Sequence, residues 1–370
     1  MNNLNKLTLI TLSYERQELL IRNVNFWKNK GCKHLILDGS SRALDKKVLD
    51  EWGASITYLH APISYQKRFA LIGDYLKTQY YILAADDDFY FPNTLKNSIK
   101  FLDENNDYSA CCGRPLGFEF DAKVGVCVRP GVYNDMNNNY KIDDITPRNR
   151  MISHMGRYMP STMYAVLRTV NWDLTVGHYI NKEYSIFSII ELEMELITAY
   201  LGKSIVLPEL GWLKSIELDQ INTDEPTFKR DRELHNIWPM DAEKDSFRLD
   251  YLASMSQWLS KADNRNIEEI SIEIDTAMNA YVLWCEKYFT ENISLFYFRE
   301  KIKFIFSSNM LTSLLKFKRK FINRFFKYKK RVLFREYLDF LRSTGCDVDL
   351  KDQQSIEHAI KQFYSKNVNG

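Results

Sequence analysis

Three consecutive carboxylates, Asp86-Asp87-Asp88, stand directly behind the apolar run Tyr80-Tyr81-Ile82-Leu83-Ala84-Ala85, and Phe89-Tyr90-Phe91-Pro92 follows them. The run is short and aromatic, which reads as a buried strand. Pro92 opens a helix that continues through Leu95, Ile99 and Leu102, with Asn93 or Thr94 as its cap. Adjacent carboxylates repel one another, so a fold that keeps three together sets a cation or a group of donors against them. Hard divalent cations such as Mg²⁺ or Mn²⁺ take one or two carboxylates plus the oxygens of a diphosphate. Open α/β sheets bind ligands outside the carboxyl ends of their strands. The plain alternative is a solvated turn.

Upstream, apolar runs alternate with helical periods. Leu7 to Leu12 is a first strand ending at Ser13-Tyr14-Glu15-Arg16, and a helix through Leu19, Leu20, Val24 and Trp27 stops near Gly31. His34 to Asp38 is a second strand, Ser55 to Leu59 a third, and Tyr65 to Leu76 a helix carrying Gln66, Lys67, Arg68 and Asp74. This alternation predicts an α/β fold with a doubly wound, mostly parallel sheet. From Tyr108 to Val132 short strands and turns take over, and Asn134 to Asp144 is an Asn-rich loop. Tyr164 to Leu167 is a strand, Ser185 to Leu201 a helix ending at Gly202, and Ser204 to Leu207 a strand stopped by Pro208. These features divide the chain into a sheet domain over 1–215, a charged connector or lid over 216–245, and a mainly helical region over 246–370.

Hydrophobic content of 45% and charged content of 26% describe a globular protein. The cysteines Cys32, Cys111, Cys112, Cys127, Cys285 and Cys346 show neither metal spacing nor a small-domain framework, so free thiols are expected. The first apolar run is too short and too closely flanked by charge for a signal peptide, and no stretch reaches the length of a spanning helix. A cytoplasmic location follows as an expectation.

Taken together, the opening strand into Ser13-Tyr14-Glu15-Arg16, the strand ending in Asp38, the helix Gln66-Lys67-Arg68-Phe69-Ala70, Gly73-Asp74-Tyr75 and Tyr81 through Phe89 resemble the GT-A-fold glycosyltransferases of the large family-2-like group. The resemblance spans residues 7–210 and is clearest from Arg68 to Asp88. It implies a nucleotide-sugar donor and a glycan or lipid-linked acceptor. The donor would be held near Ser13, Tyr14 and Arg16, by Asp38, by Arg68 at a phosphate, and by Asp86 and Asp87. Asp38 suits a ribose or base, since a carboxylate accepts paired bonds; it equally suits a turn cap before Gly39. The family pattern is commonly Asp-x-Asp-Asp-aromatic; here its first Asp falls on Ala85. Asp88, with Asp86 beside it on the same side of an extended segment, is the expected pair of ligands to Mn²⁺ or Mg²⁺.

An inverting transfer needs a carboxylate to take the acceptor's proton. The resemblance places that base near Glu191-Leu192-Glu193-Met194-Glu195. Glu193 shares a helical face with Ile186, Ile189, Ile190 and Ile197. Glu191 stands at the family's position but also completes a capping box with Ser188. Glu195 falls opposite the apolar face and is expected in solvent. His178 reads as a loop residue before this helix, structural or surface in character. Arg157, Tyr158, Pro160, Ser161 and Thr162 are acceptor-side candidates.

Residues 314–333 concentrate basic side chains, among them Lys316, Lys318, Arg319, Lys320 and Arg324, around an apolar series through Phe317, Phe321, Phe325 and Tyr328. That is an amphipathic helix suited either to an anionic membrane surface, as a peripheral protein at its inner face, or to packing on the sheet domain. Nucleic acid is not an expected partner. Two functions remain: a metal-assisted glycosyltransferase, or a non-catalytic glycan- or membrane-associated protein that keeps the fold, which Ala85 favours. A nucleotidyltransferase would need a Gly-rich basic loop after the first strand, and none is present.

Overall fold

The computed structural model describes residues 3–129, 140–159, 162–182, 189–216, 238, 246–285 and 332–367. The basic segment, apart from its last two residues, lies outside them, as do Pro160, Ser161, Ser188 and the 216–245 connector apart from Ile216 and Trp238.

Four strands carry the parallel half of the sheet: β1 (Leu7–Ser13), β2 (Lys33–Asp38), β3 (Ile56–His60) and β4 (Tyr80–Leu83). Their spatial order is β4-β1-β2-β3, all parallel, with Leu7 beside Tyr80, Ser13 beside Asp38, and Asp38 beside His60. Successive residues serve opposite faces, as a pleated strand requires. Leu7, Leu9, Tyr80 and Ile82 join one core with Phe26 and Trp27, whereas Ile10, Tyr81 and Leu83 join the other with Phe69 and Trp172. Burying both faces calls for helices on both. α1 (Gln17–Trp27) covers the first; α3 (Tyr65–Ile72), after the short α2 (Lys46–Asp50), covers the second. Each large side chain buried this way contributes about 2–3 kcal/mol. The doubly wound, mostly parallel sheet expected from the sequence is therefore present.

Beyond β4 the sheet turns mixed. β9 (Val166–Arg168) lies antiparallel between β4 and β6 (Tyr108–Asp121), and β6 then pairs with the antiparallel β7 (Gly125–Arg129). The region expected to hold short strands thus forms one strand of 14 residues and a hairpin partner. β10 (Lys203–Ser215) runs parallel to β6 along its length and also pairs with the two-residue strands β5 (Phe89–Tyr90) and β8 (Lys141–Ile142). Pro208 does not end it. The register shifts between Leu207 and Leu210 absorb the proline, whose carbonyl accepts the Asp347 amide at 2.8 Å. At the next shift Gly113 and Gly211 lie back to back: a Cβ on Gly113 would come within 2.6 Å of the Gly211 Cα.

α4 (Pro92–Glu104) starts at Pro92 as expected, but neither Asn93 nor Thr94 caps it. The Asn93 amide instead donates to Asp352 Oδ2 at 2.6 Å, and the Thr94 hydroxyl donates to the Leu210 carbonyl at 2.9 Å. α5 (Pro147–Met155), α6 (Trp172–Asn181) and α7 (Ile189–Leu201) pack together on the face covered by α3. α8 (Ser246–Asp263) and a helix over 267–285 extend that core. On the other face, β11 (Val332–Leu333) adds to β7, and the helices Phe334–Ser343 and Leu350–Asn367 cover α1 and β7. All six cysteines are free thiols. Among the described residues no helix is long and apolar enough to cross a membrane.

His34 in β2 is 2% exposed, and one ring nitrogen lies 3.0 Å from the Thr11 hydroxyl. Burial holds its pKa down to about 3. The unfolded chain therefore binds a proton that the folded chain refuses, and this part of the stability is lost as pH falls below the ordinary histidine value of about 6.5. His34→Asn should flatten the acid side of the melting-temperature profile. Relative to the variant, the wild type should lose about 3 kcal/mol between roughly pH 6.5 and pH 4; parallel profiles would show that His34 charges freely in the fold.

Candidate active site

The carboxyl ends of β1, β2 and β4 come together, and each delivers a polar loop. After β1, Glu15 adopts a φ of 52°, the left-handed region that non-glycine residues seldom occupy. It persists because Glu15 is tied at both ends: its amide donates to Ser40 Oγ at 2.8 Å, and its Oε1 accepts from the Ser41 amide at 2.7 Å. The β1 and β2 loops are thereby clipped together. Arg68, expected at a phosphate, is 2% exposed, and its guanidinium donates to the Ser13 carbonyl at 2.7 Å. It braces these loops from below, and a Cβ on Gly39 would fall 2.5 Å from the Arg68 Cζ.

Asp38 is fully buried. Its Oδ1 accepts from the Ser40 amide at 2.9 Å, and its Oδ2 from Tyr58 at 2.7 Å and Gln17 at 3.0 Å. Burial would raise this carboxyl; the bonds from Ser40, Tyr58 and Gln17 outweigh it and hold the pKa below the usual range. The turn-cap role is thus realised. Gln17 also donates to the Arg42 carbonyl at 2.6 Å. Tyr14 stands exposed above this edge.

The aspartate run is held from three sides. Asp86 and Asp88 are each 3% exposed, so the reading of a solvated turn fails. Ser13 Oγ donates to Asp86 Oδ2 at 2.8 Å, and Arg16 reaches Asp86 Oδ1 at 3.3 Å while also pairing with Asp87. Asp88 turns toward β10: the Trp212 indole N–H donates to its Oδ2 and the Ser215 amide to its Oδ1, both at 2.8 Å. From α1, Arg22 donates to the Asp87 carbonyl at 2.8 Å and Asn23 to the Asp88 carbonyl at 3.0 Å. Burial raises the Asp86 and Asp88 carboxyls above the ordinary range; Arg16 pulls Asp86 back, while the charge of Asp87 pushes both further up. In the family pattern Ala85 replaces an Asp; here its carbonyl faces Asn23 at 3.4 Å.

These residues fit a divalent ion only in part. Among the described residues no three of His, Cys, Asp and Glu gather as a metal cage. A carboxylate offers about four acceptor positions, so Asp88, which accepts from Trp212 and Ser215, and Asp86, which meets Ser13 and Arg16, each keep acceptor capacity for a further partner. The chain can supply one or two oxygens, and a diphosphate and water must supply the rest, which is the usual manner of Mg²⁺.

The second group of candidate carboxylates stands on α7, which packs against α5, α6 and β6. Glu191 is half-buried and bonded to the Tyr158 hydroxyl. Burial raises its carboxyl; Tyr158 opposes that, the charge of Glu195 adds to it, and Lys214 opposes it again. Lys214 also lowers Asp88, so a single cation lies within electrostatic reach of both carboxylates. Its Nζ is 5.3 Å from the Trp212 ring centroid and 5.7 Å from that of Tyr164. Glu193 is fully buried on the opposite side of α7, as its periodicity predicted, with His178 Nδ1 at 3.1 Å from its Oε2. His178 lies within α6 rather than in a loop, and with Glu193 it forms an internal pair between two helices. Glu195 is also fully buried, contrary to the expectation of solvent. Its carboxylate receives the Thr162 amide at 3.1 Å, the Met163 amide at 2.8 Å and His154 Nε2 at 2.6 Å. A single apolar face was the wrong picture for α7, because three packing neighbours surround it. Of the remaining acceptor-side candidates, Arg157 donates to the Lys141 carbonyl at 2.7 Å.

Sequence reading missed Trp212, Lys214 and Ser215, because Pro208 was taken as the end of their strand. The indole N–H that a buried Trp212 must satisfy was the available signal. Arg22 and Asn23, polar residues buried on α1, were missed as well.

No protein-family model and no curated protein sequence matches this chain. Solved structures do. Residues 1–349 of TarS from S. aureus are similar at 12% identity over 78% of this chain and 74% of that one, with a TM-score of 0.46. The same protein in complex with UDP-GlcNAc matches at 12% identity over 74% and 72%, TM-score 0.47. Its UDP complex matches at 12% identity over 77% and 91%, TM-score 0.41.

Proposed function

We propose that this chain transfers a sugar from a nucleotide-diphosphate donor to a hydroxyl of a glycan or lipid-linked acceptor. The observation that carries the reading is the convergence of three strand ends on one buried carboxylate cluster, with a second, half-buried carboxylate, Glu191, sharing Lys214 with it. A doubly wound sheet binds ligands at such a point. The nucleoside lies along Tyr14 to Arg16 and Ser40 to Ser41, with Gln17 and Asp38 fixing that edge. Asp88, aided by Asp86, would hold a Mn²⁺ or Mg²⁺ ion, which would supply charge neutralisation at the leaving group. Arg16 and Lys214 add positive charge on either side of it.

Glu191 takes the acceptor's proton. Of the two expected candidates it alone keeps contact with solvent, and burial raises its carboxyl, the direction that makes a carboxylate a better proton acceptor. Glu193 is committed to His178 inside the helical layer. A second reading, a donor-binding protein without turnover, draws on Arg16, Trp212 and Ser215, which already serve the three aspartates from within the chain.

A thermal-shift screen of nucleotide sugars with and without Mn²⁺ tests the proposal, because a ligand of the native state raises its melting temperature. One class of donor should raise it by several degrees only when Mn²⁺ is present, and should be hydrolysed or transferred. A shift without turnover under any acceptor supports the second reading; no shift with any donor contradicts both.

A further inference from the structure

Glu195 is fully buried and accepts from four donor groups, and the reaction has no direct use for it. It lies one helical turn beyond Glu191, so the two project from the same side of α7. All its partners are donors. The Thr162 and Met163 amides come from one segment, joined by the Thr162 hydroxyl, and His154 Nε2 comes from α5 at 2.6 Å. The other nitrogen of that imidazole lies 2.7 Å from the Tyr140 hydroxyl. One proton arrangement satisfies the whole chain: Tyr140 O–H donates to His154 Nδ1, and His154 Nε2–H donates to Glu195. Tyr158, which holds Glu191, sits in sequence between the two places that Glu195 grips, His154 before it and Thr162 and Met163 after it. Its ring also meets His154 at 6.2 Å between centroids and Tyr281 at 5.0 Å.

We propose that Glu195 is a positioning residue for Glu191: it clasps both flanks of the segment that presents Tyr158, and it fixes a buried negative charge one turn from the Glu191 carboxylate. Glu191 is then faced by four groups among the described residues. Tyr158 donates to it, Lys214 from β10 attracts its charge, and Glu195 on α7 and the Tyr281 phenol on the 267–285 helix stand on its other sides. Two of these have opposite effects. The Tyr158 bond favours the charged carboxylate, and the Glu195 charge favours the protonated acid. Without Glu195, Glu191 would be a weaker proton acceptor held by an unanchored tyrosine.

The inference rests on Glu191 being the base, so its test reads Glu191 directly and without turnover. Carbon-13 titration of the glutamate carboxyls, with the Glu191 signal assigned by its absence in Glu191→Gln, follows one group through pH. Glu195→Gln should lower the Glu191 midpoint by about one pH unit, and Tyr158→Phe should raise it. Because Glu195→Gln sets an amide against several donors and can disturb folding, Thr162→Val serves beside it. That variant strips one hydroxyl from Glu195, leaves its charge less compensated, and should move the Glu191 midpoint upward by a few tenths of a unit. A Glu195 with a purely structural role would lower the melting temperature in these variants and leave the midpoint where it is, and that result overturns the proposal. The functional reading fails separately, if Glu191→Gln keeps full donor turnover while the midpoints shift as described.

Discussion

Asp88→Asn should lower metal-dependent donor turnover by about 10²–10³-fold, the usual loss when a group that stabilises developing charge is removed. The reason is specific to this side chain. Both Asp88 oxygens already accept a bond, one from Trp212 and one from Ser215, which fixes the carboxylate against β10. What remains free to meet an ion is its charge and its spare acceptor positions, and the amide removes the charge. Asparagine also sets an N–H₂ group against one of the two donors, so the variant should lose about 1–3 kcal/mol of stability. Trp212→Phe separates the two effects. It removes one donor and leaves the carboxylate, so it should cost a comparable share of stability and much less turnover. Initial rates of nucleoside diphosphate release, beside melting curves for both variants, check this. Equal losses of turnover in the two would mean that Asp88 serves the fold alone.

Gly113→Ala and Gly211→Ala should each destabilise the fold by about 3 kcal/mol, the upper part of the range for overpacking. A Cβ on Gly113 would meet the Gly211 Cα and the Thr94 Cγ2 at 2.6 Å, and one on Gly211 would meet the Gly113 Cα at 2.5 Å. Two of these neighbours are backbone and cannot turn aside. The cost also reaches the site. The register of β10 shifts on both sides of Leu210, and the strand must bend there before it delivers Trp212 to Asp88. The Gly211 carbonyl further accepts the Phe91 amide at 3.0 Å, which ties the bend to the segment just past the aspartates. The melting temperature should fall by roughly 5 °C or more, and donor turnover at a permissive temperature should fall with it. Alanine variants that melt with the wild type would show that the two strands can part at no cost.

The parallel half of the sheet was legible because each of its strands is a compact apolar run closed by a polar loop. The meeting of Ser13, Asp38 and Asp86 to Asp88 then follows from the strand order. The β10 side was not legible. Pro208 is a sound stop signal for a regular strand, and only the double register shift beside the paired glycines lets the strand continue past it. Arg68 was expected at a phosphate; its burial and its bond to the Ser13 carbonyl were not legible, because they depend on two loops that meet above a short helix only in the folded chain. In α7 the helical period identified Glu193 as inward-facing but missed Glu195, because a helix enclosed by α5, α6 and β6 has no solvent side at that level. Asp38 was left between two roles, and the structure shows the turn cap in place, with Gln17 donating to the same carboxylate.

Calorimetric titration of the full chain with nucleoside diphosphates, with and without Mn²⁺, on the wild type and on Asp88→Asn, tests the central claim most directly. A buried carboxylate cluster completed by an ion and a pyrophosphate predicts that one nucleoside diphosphate binds the wild type with Mn²⁺, binds at least tenfold more weakly without it, and loses that dependence in Asp88→Asn. A nucleotide that binds both proteins equally well, with or without the ion, would contradict it.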